Sequence, residues 1–166
     1  MGCGGADSLG VGPRRSSFVS GWPGSVDGVS TADRERDELG RAIEQYQAGG
    51  YAVDRVAFST CTCGGEVFAV VFDDEAGVAA RICVACEEEF GIADSEEHID
   101  AADEVTQAQC RCGHDEFRVA VGFALDGDGE VRWVSVGLRC TRDGLAGIYT
   151  DWKIDYLPSV HLLARA

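Results

Sequence analysis

Positive charge is scarce in this chain: its 166 residues carry 14 Lys and Arg against 29 Asp and Glu, a formal net charge of -15. Phosphate backbones repel such a molecule as a whole, which disfavours nucleic acid as a partner. No window reaches the roughly 18 consecutive apolar residues of a membrane span. The first residues also lack the basic-then-apolar order of a secretory signal. The expectation is a cytoplasmic protein with no membrane partner, where thiols stay reduced and clustered cysteines serve as ligands rather than disulfides. Histidine is down to three, His98, His114 and His161, and no His-Glu-x-x-His or deaminase-type pattern is present. That shortage points away from an enzyme. Asp126, Asp128 and Glu130 open like a calcium loop, but the later ligands of such a loop are missing.

Cysteine is what the chain does have, 8 in all. Cys3 follows Gly2 in a lipidation-like start, yet Ala6 stands where myristoylation asks for Ser or Thr and no polybasic run follows. The other seven fall in two stretches that repeat each other. One opens with Cys61-x-Cys63-Gly64-Gly65 and closes with Cys83-x-x-Cys86. The other opens with Cys110-x-Cys112-Gly113-His114 and closes with Cys140-x-x-Asp143-Gly144. Four thiolates in two close pairs make a tetrahedral soft-donor set that suits Zn²⁺, so Cys61, Cys63, Cys83 and Cys86 form the first expected metal site. Gly64 and Gly65 free the backbone to turn around an ion despite the tight Cys-x-Cys spacing. The second site has three cysteines, Cys110, Cys112 and Cys140. Asp143 aligns with Cys86 as the fourth ligand, His114 is the alternative donor, and a site without metal is the third reading.

Around these pairs the chain divides into four parts. Residues 1–31, rich in Gly and Ser and holding Pro13 and Pro23, read as a disordered tail. Residues 32–90 comprise a helix over 32–48 and the first cysteine repeat. Leu39, Ile43 and Tyr46 give that helix one apolar stripe, Ser30 and Thr31 offer an N-cap, and Gly49-Gly50 supplies a stop. Residues 91–107 form an acidic connector. Nine of the fifteen net negative charges lie in 87–109, which has no Lys or Arg. Residues 108–166 hold the second repeat. There Phe117, Val119, Val121, Phe123 and Leu125 alternate with period two, a turn follows at 126–129, and a return strand carries Val134, Val136 and Leu138. A third strand is expected within 145–156.

At its cysteine knuckles the chain resembles the zinc-ribbon group of folds, in two copies over residues 56–90 and 108–156. The resemblance implies a small mainly-β, α+β architecture stapled by metal. Two tandem three-stranded antiparallel sheets are expected, with one N-terminal helix and structural zinc. It implies no single activity, because ribbons occur in transcription factors, ribosomal proteins, enzyme subunits and protein-docking modules alike. The second copy departs from the pattern at Asp143.

The function expected from these readings is a zinc-binding structural and interaction protein whose acidic connector selects a basic protein partner. The alternative is nucleic-acid binding by the near-neutral second repeat. It would use Arg111, Arg118, Arg132, Arg139, Arg142 and Lys153, with Trp133, Tyr149 and Trp152 as stacking surfaces.

Overall fold

The computed structural model describes residues 30–102 and 104–166. The Gly/Ser-rich segment up to residue 29, with Gly2 and Cys3, lies outside the described residues. Helix α1 (Thr31–Glu44) opens on a capping box, in which the Asp33 N–H donates to Ser30 Oγ and the Ser30 N–H to Asp33 Oδ2. The helix ends earlier than the expected 48, because Gly49 and Gly50 serve a different purpose. Their φ values of 56° and 85° make the two-residue turn between β1 (Gln47–Ala48) and β2 (Tyr51–Ala52). A hairpin of that length demands two left-handed residues, which glycine supplies without steric cost. Gly49 also lies under the Trp133 ring, where an added Cβ would come within 2.5 Å of a ring carbon.

The remaining strands are β3 (Arg55–Phe58), β4 (Phe68–Asp73), β5 (Val78–Cys83), β6 (Glu89–Gly91), β7 (Thr106–Gln107), β8 (Phe117–Leu125), β9 (Val131–Cys140) and β10 (Ala146–Lys153). They form one antiparallel sheet in the order β10-β9-β8-β4-β5-β6, with β3 on β8 and β7 on β4. This differs from the expected pair of separate three-stranded sheets. Strand β8 joins the halves: Phe117 pairs with Phe68 of β4, and Ala120 to Phe123 pair with Phe58 to Arg55 of β3. A nine-residue apolar strand left with an open edge would be a site for unwanted pairing, and sharing it between the repeats removes that edge.

The two faces of β8 and β9 are covered by different parts of the chain. On one face the side chains are small (Ala120, Gly122, Ser135 and Gly137), and α1 lies close above them. A Cβ on Gly137 would stand 2.7 Å from Ile43 Cδ1, so glycine there permits the helix to approach. Leu39 and Ile43 are buried against this face. Charged contacts fix its end: Arg118 pairs with Glu35 at 2.8 Å and Glu66 at 2.6 Å, and Arg139 with Glu35 and Glu38 at 3.2 Å each. The other face carries the large residues Phe117, Val119, Val121 and Phe123, which share one core with Phe68, Trp152, Ile154 and Leu162. The sheet coils enough to bring Trp152 of β10 against Gly77 in the β4–β5 turn. The C-terminal segment with its 3₁₀ turn Val160–Ala164 closes this core.

The acidic segment between the repeats is tied into the fold. Ile92 donates its N–H to Ala79 O at 2.8 Å, and Ser95 Oγ accepts the Ala79 N–H at 2.9 Å. Asp94, buried, accepts from Trp152 Nε1 at 3.0 Å and from the Tyr156 hydroxyl at 3.1 Å. Its carboxylate is thereby used internally, while Glu96 and Glu97 on the next turn, α2 (Ser95–His98), face solvent.

Candidate metal centres

Each site is built from two backbone knuckles, an opening one and a return one, and the second site repeats the design of each. In the first, the Cys61 N–H donates to Gly65 O and the Gly64 N–H to Cys61 O, each at 2.8 Å. The Cys110 knuckle repeats the pattern, Cys110 N–H to His114 O at 2.7 Å and Gly113 N–H to Cys110 O at 2.8 Å. The third residue after Cys61 and after Cys110 takes a left-handed backbone, and the glycines there, Gly64 and Gly113, have φ of 87° and 80°. On the return side, Cys83 N–H reaches Glu88 O at 2.9 Å and Cys140 N–H reaches Leu145 O at 2.9 Å. Gly144 takes φ of 75° after Asp143, while Glu87 takes 61° at the matching place after Cys86. Such geometry in a non-glycine residue is uncommon, and it marks the knuckle as one the rest of the fold imposes.

These turns bring the expected ligands together. Cys61, Cys63, Cys83 and Cys86 offer four sulfurs, and Cys110, Cys112, Cys140 and Asp143 three sulfurs and a carboxylate oxygen; within each group the ligand atoms lie within 4.8 Å of one another. Either group could hold a metal ion. The spacings suit a tetrahedral one: sulfur bonds of ~2.3 Å imply tetrahedron edges of about 3.8 Å. The Cys61–Cys86 and Cys63–Cys83 sulfur pairs stand 3.5 and 3.7 Å apart, and Cys112–Cys140 3.7 Å. The Asp143 oxygens lie 3.5 and 3.4 Å from Cys110 Sγ, the shorter edge expected when oxygen replaces sulfur. The seven cysteines among the described residues are all free thiols. In each group the first cysteine of each pair is buried and the second ligand of each pair is exposed. His114 is not part of the second group. Its Nε2 lies 2.9 Å from Thr141 Oγ1, and it occupies the knuckle position that is Gly65 in the first repeat.

The electrostatics show what an ion would relieve. The Cys63 N–H, ahead of opposing burial, holds the Cys61 thiol down at about 7. At Cys86 the Glu88 N–H pulls the same way, but the crowding of Cys61 and Cys63 prevails and pushes that thiol up to about 12. Cys110 behaves alike: against the Cys112 N–H, burial and the neighbouring Cys112, Cys140 and Asp143 raise it to about 11. The Leu145 N–H, then the Cys140 thiol, holds the Asp143 carboxyl down at about 2. In each group one acid is thus held low while a neighbouring thiol is pushed up, and a divalent cation is the counter-charge that would allow both to ionise.

One neighbour of the first site escaped the sequence reading. Glu88 Oε2 accepts from Thr62 Oγ1 at 2.7 Å and lies 3.9 Å from Cys61 Sγ, bridging the two knuckles behind the sulfurs. Its place two residues after Cys86 was the available signal, hidden within an acidic run.

No family model matches the chain, and neither a curated protein nor a solved structure does. Among the described residues, no helix is long and apolar enough to cross a membrane.

Proposed function

We propose that the chain is a zinc-stapled structural and interaction protein of the reducing cytoplasm, with one Zn²⁺ on Cys61, Cys63, Cys83 and Cys86 and a second on Cys110, Cys112, Cys140 and Asp143. The observation that carries this reading is the convergence of two complete four-donor sets on repeated knuckles. A full protein ligand set is the mark of structural zinc, whereas catalytic zinc keeps a position open for water or substrate. The partner in this reading is a basic protein. The support is charge: residues 87–109 supply nine of the fifteen net negative charges, and Glu87, Glu88, Glu89, Glu96 and Glu97 are exposed.

The nucleic-acid alternative has less support. Arg118 and Arg139 are held by α1 and by Glu66, Arg132 is held by Asp126 at 2.8 Å, and Lys153 pairs with Asp155. Trp152 is in the core, and Trp133 stacks on Tyr51 while its Nε1 donates to Asp151 at 2.7 Å. Calorimetric titration of the zinc-loaded protein with a lysine-rich peptide and with single-stranded DNA tests the partner reading. Salt-sensitive peptide binding that falls in a variant with Glu87, Glu88 and Glu89 changed to Gln is expected. Binding of the DNA and not of the peptide would overturn it.

A further inference from the structure

Strand β10 ends the sheet, and among the described residues its outer edge has no strand partner. The Cys140 N–H to Leu145 O bond at 2.9 Å sets the phase of the β9–β10 ladder. By the alternation of an antiparallel pair, the N–H and C=O of Ala146 and Ile148 then point outward. Beside this edge runs a groove of about 420 Å³, lined by Gln109, Arg111, Leu145, Gly147, Ile148 and Tyr149 among others. Leu145 is 49% exposed, and a side chain at Gly147 would meet open space. The groove therefore combines free backbone donors and acceptors, an apolar floor and room for a side chain.

The one charged side chain that lines it is a cation, Arg111. Arg118, Arg132, Arg139, Lys153 and Arg165, five of the seven basic residues of the second repeat, are engaged by carboxylates. Arg111 and Arg142 are exposed, and among the described residues neither has a carboxylate within ion-pair reach. They sit on the two knuckles of the second metal group, at the end of the sheet where β10 begins. An edge strand can accept an extended peptide by backbone pairing, with its flanking pockets reading the side chains.

We propose that this β10 edge is a docking site for an extended, acidic segment of another protein, bound by strand addition along residues 145–149 with its carboxylates toward Arg111 and Arg142. The surface is distinct from the acidic one, and its occupant has the opposite charge. A nucleic acid is disfavoured because the groove offers a single aromatic, Tyr149, where successive bases need a row of stacking surfaces.

The test is an NMR titration of the isotope-labelled, zinc-loaded full chain with three probes. One is a short capped peptide alternating Glu and Val, one alternates Lys and Val, and one is a short oligo-dT. The expected result is that the acidic peptide alone moves the amides of Ala146 and Ile148 and the methyls of Leu145. Arg111→Glu, with zinc content verified as unchanged, should weaken that binding by about fivefold, the upper range for one exposed charge pair. Leu145→Ser, also at an exposed position, should weaken it without altering its salt dependence. Shifts with the lysine peptide or the DNA at these amides, shifts of the acidic peptide confined elsewhere, or no shifts at all would overturn the proposal. So would protein-concentration-dependent shifts of the same amides without any peptide, since they would make a second copy the occupant.

Discussion

Asp143 is the residue on which the equivalence of the two metal groups turns. It stands where the first repeat has Cys86, and its carboxylate oxygens sit 3.4 and 3.5 Å from Cys110 Sγ. Asp143→Ala is expected to lower zinc affinity at the second site by about a hundredfold or more, because losses in outer partners alone reach that range. The first site should be unchanged, and Asp143→Cys should restore tight binding; competition with a chromogenic chelator measures both. The sign with pH follows from the ionisations. Asp143 titrates at about 2 rather than 3.8, so its contribution is present above 3.8 and is lost only as pH falls toward 2. Zinc should therefore leave the second site well above pH 2, driven by thiol protonation, and a metal-release titration showing the Asp143 protonation as the trigger would contradict this. Asp94 carries a separate prediction. Removing its buried carboxylate in Asp94→Ala strands Trp152 Nε1 and the Tyr156 hydroxyl. It should cost about 2 kcal/mol in urea unfolding with zinc content intact. Aligning the repeats made Asp143 visible as a candidate fourth donor before any coordinates, and the structure brings it beside Cys110, because ligand spacing is local. Asp94 gave no such sign, since its partners lie 58 and 62 residues away in a chain where acids abound.

Helix α1 and its sheet face form the element whose packing is least forgiving. Gly122 and Gly137 lie beneath Ile43, so an added methyl has no room. Gly137→Ala should destabilise the protein by about 1–3 kcal/mol, the usual range for overpacking. Ile43→Ala in the same chain should recover part of that loss, and a double-mutant cycle in thermal or urea unfolding reads the coupling. Strictly additive losses would show that the helix sits farther from the sheet. Much of this element was legible: the Leu39 and Ile43 stripe announced a packed helix. The C-terminal boundary was not. A Gly-Gly pair signals left-handed backbone equally in a helix stop and in a two-residue hairpin. Only the Trp133 ring over Gly49 and the pairing of Gln47 with Ala52 decide between them.

Taken whole, the molecule is one coiled sheet that carries the two candidate metal groups, with α1 on one face and the C-terminal segment on the other. The cysteine repeats predicted two such groups, and short-range spacing made them readable. The joining of the halves was hidden, because β4 meets β8 through the single pair Phe68 and Phe117, about fifty residues apart in sequence, and no local pattern encodes that contact. Because both halves share the core around Phe68, Phe117 and Trp152, zinc removal should loosen more than the knuckles. Chelation is expected to lower the melting temperature of the whole sheet in one cooperative transition. Two separated transitions would argue for independent halves. The most direct measurement of the central claim is native mass spectrometry of the protein purified under reducing conditions. Two Zn²⁺ per chain are predicted, falling to one in Cys86→Ser and to one in Cys140→Ser; a chain without metal, or one whose mass shows the paired cysteines oxidised to disulfides, would contradict it.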